Sequence, residues 1–146
     1  TVPFLGDKVL LCKRNIEPRW GKWTLPAGFM ELDETTAEGA GRETVEESGA
    51  EFDMGPLFGV MNVPRVGQVH VFYLCQLRHD RFDPGTETME ARLFAEDEIP
   101  WEEIAFLTVR HILQAYFEDR RQGVFGVHTM DFSVKDFPPE RSKPAA

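Results

Sequence analysis

The chain has 146 residues, of which 42% are apolar, 28% charged and 12% aromatic, the profile of one globular domain able to bury roughly two-thirds of its unfolded surface. Twenty-five Asp and Glu against sixteen Lys and Arg leave a net charge of -9. That excess repels phosphate backbones and anionic bilayers, which argues against a nucleic-acid or membrane partner and asks for a divalent cation beside any anionic substrate. No apolar run reaches the roughly eighteen residues of a membrane span and no signal sequence opens the chain, so it reads as cytoplasmic. Opening on Thr1 rather than Met, it reads as a fragment or a processed form. Cys12 and Cys75 lie in apolar stretches and are expected as buried thiols. Without a C-x-x-C pair, a structural zinc site is not expected.

In chain order, residues 8–13 read as a first strand around Val9, Leu10 and Leu11. Residues 20–25 read as a short extended stretch, because Pro26 disfavours helix in the residue before it. Helical signals cover 36–48. Strands are expected at 57–63 and 68–77, the second with Val69, Val71, Tyr73, Cys75 and Leu77 on one face and His70, Phe72, Leu74 and Gln76 on the other. Apolar side chains on both faces mark a central strand covered on two sides. A shorter strand is expected at 90–95. A second helix over 108–121 sets Val109, Ile112, Leu113, Tyr116 and Phe117 in one stripe. The Pro-rich tail 137–146 is expected to fray, leaving a domain over 1–136. Strands interleaved with two helices give an α/β layered fold.

The chemistry concentrates in residues 28–50, GFMELDETTAEGAGRETVEESGA. Thr35 and Glu38 have the spacing of a capping box, and Gly49 suits the left-handed residue that ends a helix. Asp33 suits a left-handed turn position before it. On that helix Glu46 and Glu47 fall about 60° and 40° to either side of Glu43, so three carboxylates share one face. Like charges at this spacing destabilise a helix, and the macrodipole disfavours anions in its C-terminal half. As oxygen donors for Mg2+ or Mn2+ the same carboxylates make sense. Glu34, in the preceding loop, is placed to pair with Arg42 and fix the loop against the helix. Gly39 and Gly41 cost up to about 1 kcal/mol each relative to Ala, and close packing on the sheet would account for them.

The segment resembles the Nudix box, G-x(5)-E-x(7)-R-E-U-x-E-E-x-G-U with U a bulky aliphatic residue. Gly28, Glu34, Arg42, Glu43, Glu46, Glu47 and Gly49 stand at the required spacing. Thr44 and Ala50 depart from it at the U positions, which bears on how the helix docks more than on chemistry. The flanking stretches LLCKRNIEPRWGKWTLPAGF and MEARLFAEDEIPWEEIAF are similar to the superfamily as well, so the likeness covers roughly residues 7–121. It implies a single-domain α/β/α sandwich around a mixed β-sheet. It also implies metal-assisted attack of water on a pyrophosphate phosphorus, with Mg2+ or Mn2+ polarising phosphoryl oxygens and lowering the pKa of a bound water.

By the same resemblance the metal ligands are Glu43, Glu46, Glu47 and the backbone carbonyl of Ala27, with Glu46 and Glu47 central to catalysis. Glu34 and Arg42 are the orienting residues. A distal catalytic carboxylate is expected from GTETME, Glu90 being preferred over Glu87. The implied substrate is a nucleoside diphosphate linked to another moiety, ADP-ribose or FAD; Pro64, fifteen residues past Gly49, matches a mark of ADP-ribose hydrolases. The likeness is greatest to relatives that carry an N-terminal zinc ribbon, whose cysteines are absent from this sequence. Alternatives are a housecleaning nucleoside triphosphate pyrophosphohydrolase and a non-catalytic nucleotide sensor on the same fold. Phe4, Trp20, Phe29 and Phe58 are available to stack on a base, each also explicable as packing. Arg14, Arg19 and Lys22 are available to a distal phosphate or as a solvated loop, and His70 and His111 read as core or helix histidines. Such relatives are often homodimers, and VFGVHTMDFSV is a segment suited to exchange or pack between subunits.

Overall fold

A computed structural model describes residues 1–137. Its strands are β1 (Val2–Leu5), β2 (Lys8–Arg14), β3 (Trp23–Thr24), β4 (Phe52–Val63), β5 (Gln68–Leu77), β6 (Thr88–Ala95) and β7 (His128–Asp131); its helices are α1 (Thr36–Ser48) and α2 (Leu107–Gln122). The seven strands form one mixed sheet in the order β3-β2-β1-β5-β4-β7, with β6 on the far edge of β2. β1 runs parallel to β5 and β4 parallel to β7, while the remaining pairs are antiparallel.

Alternation along β2 explains the layering. Val9 and Leu11 enter the larger core with Phe58, Phe72 and Leu74 and the α2 stripe Val109, Ile112, Leu113, Tyr116 and Phe117. Leu10 points the other way and packs with Ala50 and Leu77 near the end of α1. Both faces of β2 therefore exclude water, and each fully buried Leu or Val contributes roughly 2 kcal/mol. β5 divides as its pattern requires. Phe72 and Leu74 face α2, where His70 meets Thr108 at 3.1 Å; on the opposite face the Tyr73 hydroxyl lies 2.6 Å from that of Thr36 in α1. Cys12 and Cys75 are buried free thiols.

Three strand assignments differ from expectation. β1 is absent from the sequence reading; it forms a hairpin with β2 through the two-residue Gly6-Asp7 turn, Gly6 taking φ 60° as such a turn requires. β4 begins at Phe52 rather than 57, because Gly55-Pro56 falls between Met54 and Leu57, where the register with β5 shifts. Pro can sit there since a bulge needs no ladder donor. Residues 128–131, read within a segment suited to pack between subunits, are the strand β7 on this chain's own β4, His128 opposite Gly59. Phe137, placed in the tail by sequence, stacks on Phe132 at 6.4 Å and under Arg65 at 5.8 Å; positions 138–146 lie outside the described residues.

A candidate active site

The loop between β3 and α1 is held by one side chain. Arg42 donates from Nε and Nη2 to the two oxygens of Glu34 at 3.1 and 2.8 Å, a bidentate pairing. Nη2 also donates to the Phe29 carbonyl at 3.1 Å, and Nη1 to Glu43 at 2.9 Å and Glu46 at 3.4 Å. Glu34 accepts the Glu31 N–H at 2.6 Å as well. The Arg42 guanidinium, with that N–H, holds the Glu34 carboxyl down to about 2. Asp33 adopts the expected left-handed conformation, φ 65°.

α1 starts and stops where its sequence says. Thr35 accepts from Glu38 N–H at 3.1 Å and Glu38 accepts from Thr35 N–H at 3.3 Å, while Gly49 takes φ 65° and donates to Val45 O at 2.8 Å. Gly49 is also pressed on the backbone of Asp83, which a β-carbon would overlap. Thr44, at an aliphatic position of the box, is fully buried; its hydroxyl donates to Ala40 O at 2.8 Å and meets the Thr1 hydroxyl at 2.7 Å, so its polarity is satisfied. Gly41 faces Phe52 and Met54, whereas Gly39 makes room for the Glu34 carboxylate, not for the sheet.

Glu43 and Glu47 open onto a groove of about 500 Å³, bordered also by Arg14, Ala27, Phe29 and Glu87. A β-carbon at Gly28 would overlap the Glu43 carboxylate as it stands, so glycine lets the loop close over that carboxylate without displacing it. Glu47 accepts the Ala27 N–H at 3.3 Å. Burial pushes its carboxyl up to about 7; the Ala27 N–H opposes the rise and the Glu43 charge adds to it. Glu46 is more exposed, its side chain 56% accessible, and leans on Arg42. Among the described residues no three carboxylate, imidazole or thiol groups already stand together as a cation site. The three helical carboxylates share the face that spacing gives them, but Arg42 draws Glu43 and Glu46 towards itself. As a donor set they still fit a hard divalent cation: all are oxygens, and Glu47 is a half-buried carboxylate that burial penalises more than the charges of Arg14 and the Thr1 amino group relieve.

The distal acids are placed unequally. Glu90, the residue preferred from sequence, lies on β6 opposite Lys13, outside the groove, 3.6 Å from Arg92. Glu87 precedes the strand and borders the groove, its carbonyl accepting the Asn15 N–H at 2.9 Å. Among the described lining residues Arg14 is the one cationic side chain. Its Nε donates to Pro18 O at 2.8 Å and its guanidinium lies 5.1 Å from the Phe106 ring. Lys22 instead pairs with Glu103 at 2.6 Å, so the basic trio does not converge. His111 packs edge-on to Phe132.

Comparison with known proteins agrees with this geometry. A family profile described as NUDIX domain matches residues 1–121. The ADP-ribose pyrophosphatase of Methanocaldococcus jannaschii is 31% identical over 98 residues, 64% of this chain and 58% of that protein. The crystal structure of a NUDIX hydrolase from Nitrosomonas europaea superposes with a TM-score of 0.83 at 44% identity, covering 90% of this chain and 76% of the other. That of an ADP-ribose pyrophosphatase from Streptococcus suis gives 0.70 at 26%, covering 88% and 93%. The chain spans about half the length of the curated relatives it matches. With the profile running from β1 through α1 and nearly all of α2, and the box carboxylates on α1 beside the groove, this chain belongs to the Nudix family.

Proposed function

We propose that this chain hydrolyses the pyrophosphate bond of a nucleoside diphosphate linked to another moiety, ADP-ribose foremost and FAD second, with Mg2+ or Mn2+. The observation that carries the reading is Glu43 and Glu47 on adjacent turns of α1, facing one groove whose rim holds a single arginine. Glu43, Glu46, Glu47 and the Ala27 carbonyl are the groups that hold the cation, which when bound polarises phosphoryl oxygens and acidifies a water. Arg42 and Glu34 orient the loop and helix against each other. Arg14 offers charge to the substrate's phosphates. Water adds to one phosphorus and the bridging oxygen leaves, so ADP-ribose yields AMP and ribose 5-phosphate.

For the distal carboxylate the reading moves to Glu87, since it alone of the pair borders the groove. Glu87→Gln is expected to lower kcat by about a hundred-fold, the usual scale of a lost general base, and Glu90→Gln by less than about three-fold. Equal losses in a steady-state comparison would reject that assignment.

The whole reading is tested on a panel of ADP-ribose, FAD and oxidised purine nucleoside triphosphates, with products identified by chromatography. AMP with ribose 5-phosphate, or AMP with FMN, released under Mg2+ or Mn2+ and abolished by EDTA, is the expected result. Release of inorganic pyrophosphate from triphosphates alone would replace it with the housecleaning activity. Tight ADP-ribose binding without turnover would make the chain a sensor.

A further inference from the structure

Four rings are candidates to hold a nucleobase, and the structure separates them. Phe58 is fully buried among the residues that pack on α2. Phe4 joins the same core, its ring 6.0 Å from Tyr116. Trp20 is exposed but lies outside the groove lining, its indole N–H directed to Asn15 at 3.3 Å. Phe29 borders the groove and is 79% exposed. Exposed apolar residues need no explanation singly, but Phe29 is not single: Ile16 and Met30, 39% and 60% exposed, border the same groove. The ring is free while its backbone is not, because the Phe29 carbonyl accepts from Arg42 Nη2 at 3.1 Å. That guanidinium also grips Glu43, and Gly28 closes over the Glu43 carboxylate. The Glu43 carboxylate and the backbone that carries the exposed ring therefore share one reference, the Arg42 guanidinium, and Gly28 beside Phe29 lies against that carboxylate.

We infer that Phe29 is the nucleobase platform of this groove, a specificity-determining residue whose face receives the purine while the diphosphate lies over Glu43 and Glu47. The inference rests on the diphosphatase reading above. Any base has a π-face, so a ring carried on a backbone anchored beside the phosphate site selects nucleotides as a class over base-free phosphates. An exposed ring adds little to the core, and its removal leaves stability unchanged.

The test is equilibrium binding of AMP and of ribose 5-phosphate to the whole chain with Mg2+, for the parent protein, Phe29→Ala and Phe29→Trp. For Phe29→Ala, AMP affinity is expected to fall about ten-fold with ribose 5-phosphate unchanged and the melting temperature preserved. Phe29→Trp is expected to restore AMP binding. In turnover of ADP-ribose, the Ala variant raises KM by a similar factor and keeps kcat. AMP affinity within two-fold of the parent, or equal weakening of both ligands, would overturn the platform. These binding readouts need no turnover, so a parent chain that cleaves nothing on the panel refutes the proposed reaction separately.

Discussion

Glu47→Gln is expected to lower turnover at saturating Mg2+ by about a thousand-fold or more while making the metal-free protein more stable at pH 8. The two signs have one origin. The Glu47 carboxyl is half-buried beside Glu43, and burial raises its pKa from 4.5 to about 7. Because the folded value lies above the unfolded one, ionising this group costs the native state. The cost is absent below about pH 4.5, grows through the window up to 7 and is complete above it. It amounts to on the order of 2 kcal/mol. Glutamine keeps the shape and still accepts the Ala27 N–H, yet carries no charge to desolvate. Thermal melts with EDTA should show the variant several degrees above the parent at pH 8 and level with it at pH 4.5. Kinetics at saturating Mg2+ supply the other half. Near-parental turnover would remove Glu47 from the catalytic set, and a variant less stable at pH 8 would contradict the burial argument.

Arg42→Lys is expected to cost about a hundred-fold in activity and several degrees in melting temperature, although charge is conserved. Arg42 makes a two-point contact with Glu34 and reaches the Phe29 carbonyl, Glu43 and Glu46 from one planar group. A lysine ammonium cannot span those partners at once. Loss of the fork leaves Glu34 with only the Glu31 N–H and frees the loop from the helix. Limited proteolysis in the 28–34 loop should accelerate in the variant. A Lys variant with parental melting temperature and rate would show that charge alone, rather than the fork, is required.

Helix α1 was legible because its signals are local. A capping box, a left-handed Gly49 and the Asp33 turn each involve residues a few positions apart, and each stands in the structure as read. β5 was legible because it is apolar on both faces, as a strand flanked by β1 and β4 and covered by α1 and α2 must be. β1 and β7 were not legible, for opposite reasons of range. β1 is four residues long with Pro3 inside it, too short to show an alternation, and β7 is a four-residue parallel strand whose partner lies about seventy positions earlier. In the site, spacing placed Glu43, Glu46 and Glu47 on one face but said nothing of where their carboxylates point, which Arg42 decides. Glu87 and Glu90 are three residues apart; only the register of β6 on β2, with its irregularity between Lys13 and Arg14, tells which borders the groove.

The far end of α1 has a consequence for how this protein can vary. The Asp83 N–H donates to the Ser48 carbonyl at 2.9 Å, its backbone lies against Gly49, and Gly85 lies so close to the Glu46 carbonyl that a β-carbon would overlap it. The connection from β5 to β6 is thus docked twice onto the helix end immediately before it delivers Glu87. Its near end is held too, the Arg78 N–H donating to the Glu51 carbonyl at 3.0 Å and Phe82 packing against Leu10, Ala50 and Leu77, so insertions and deletions are best absorbed at residues 79–81. At Gly85 an added methyl group would meet the Glu46 carbonyl just before Glu87, so a lineage changing this loop has its freedom between Arg78 and Phe82.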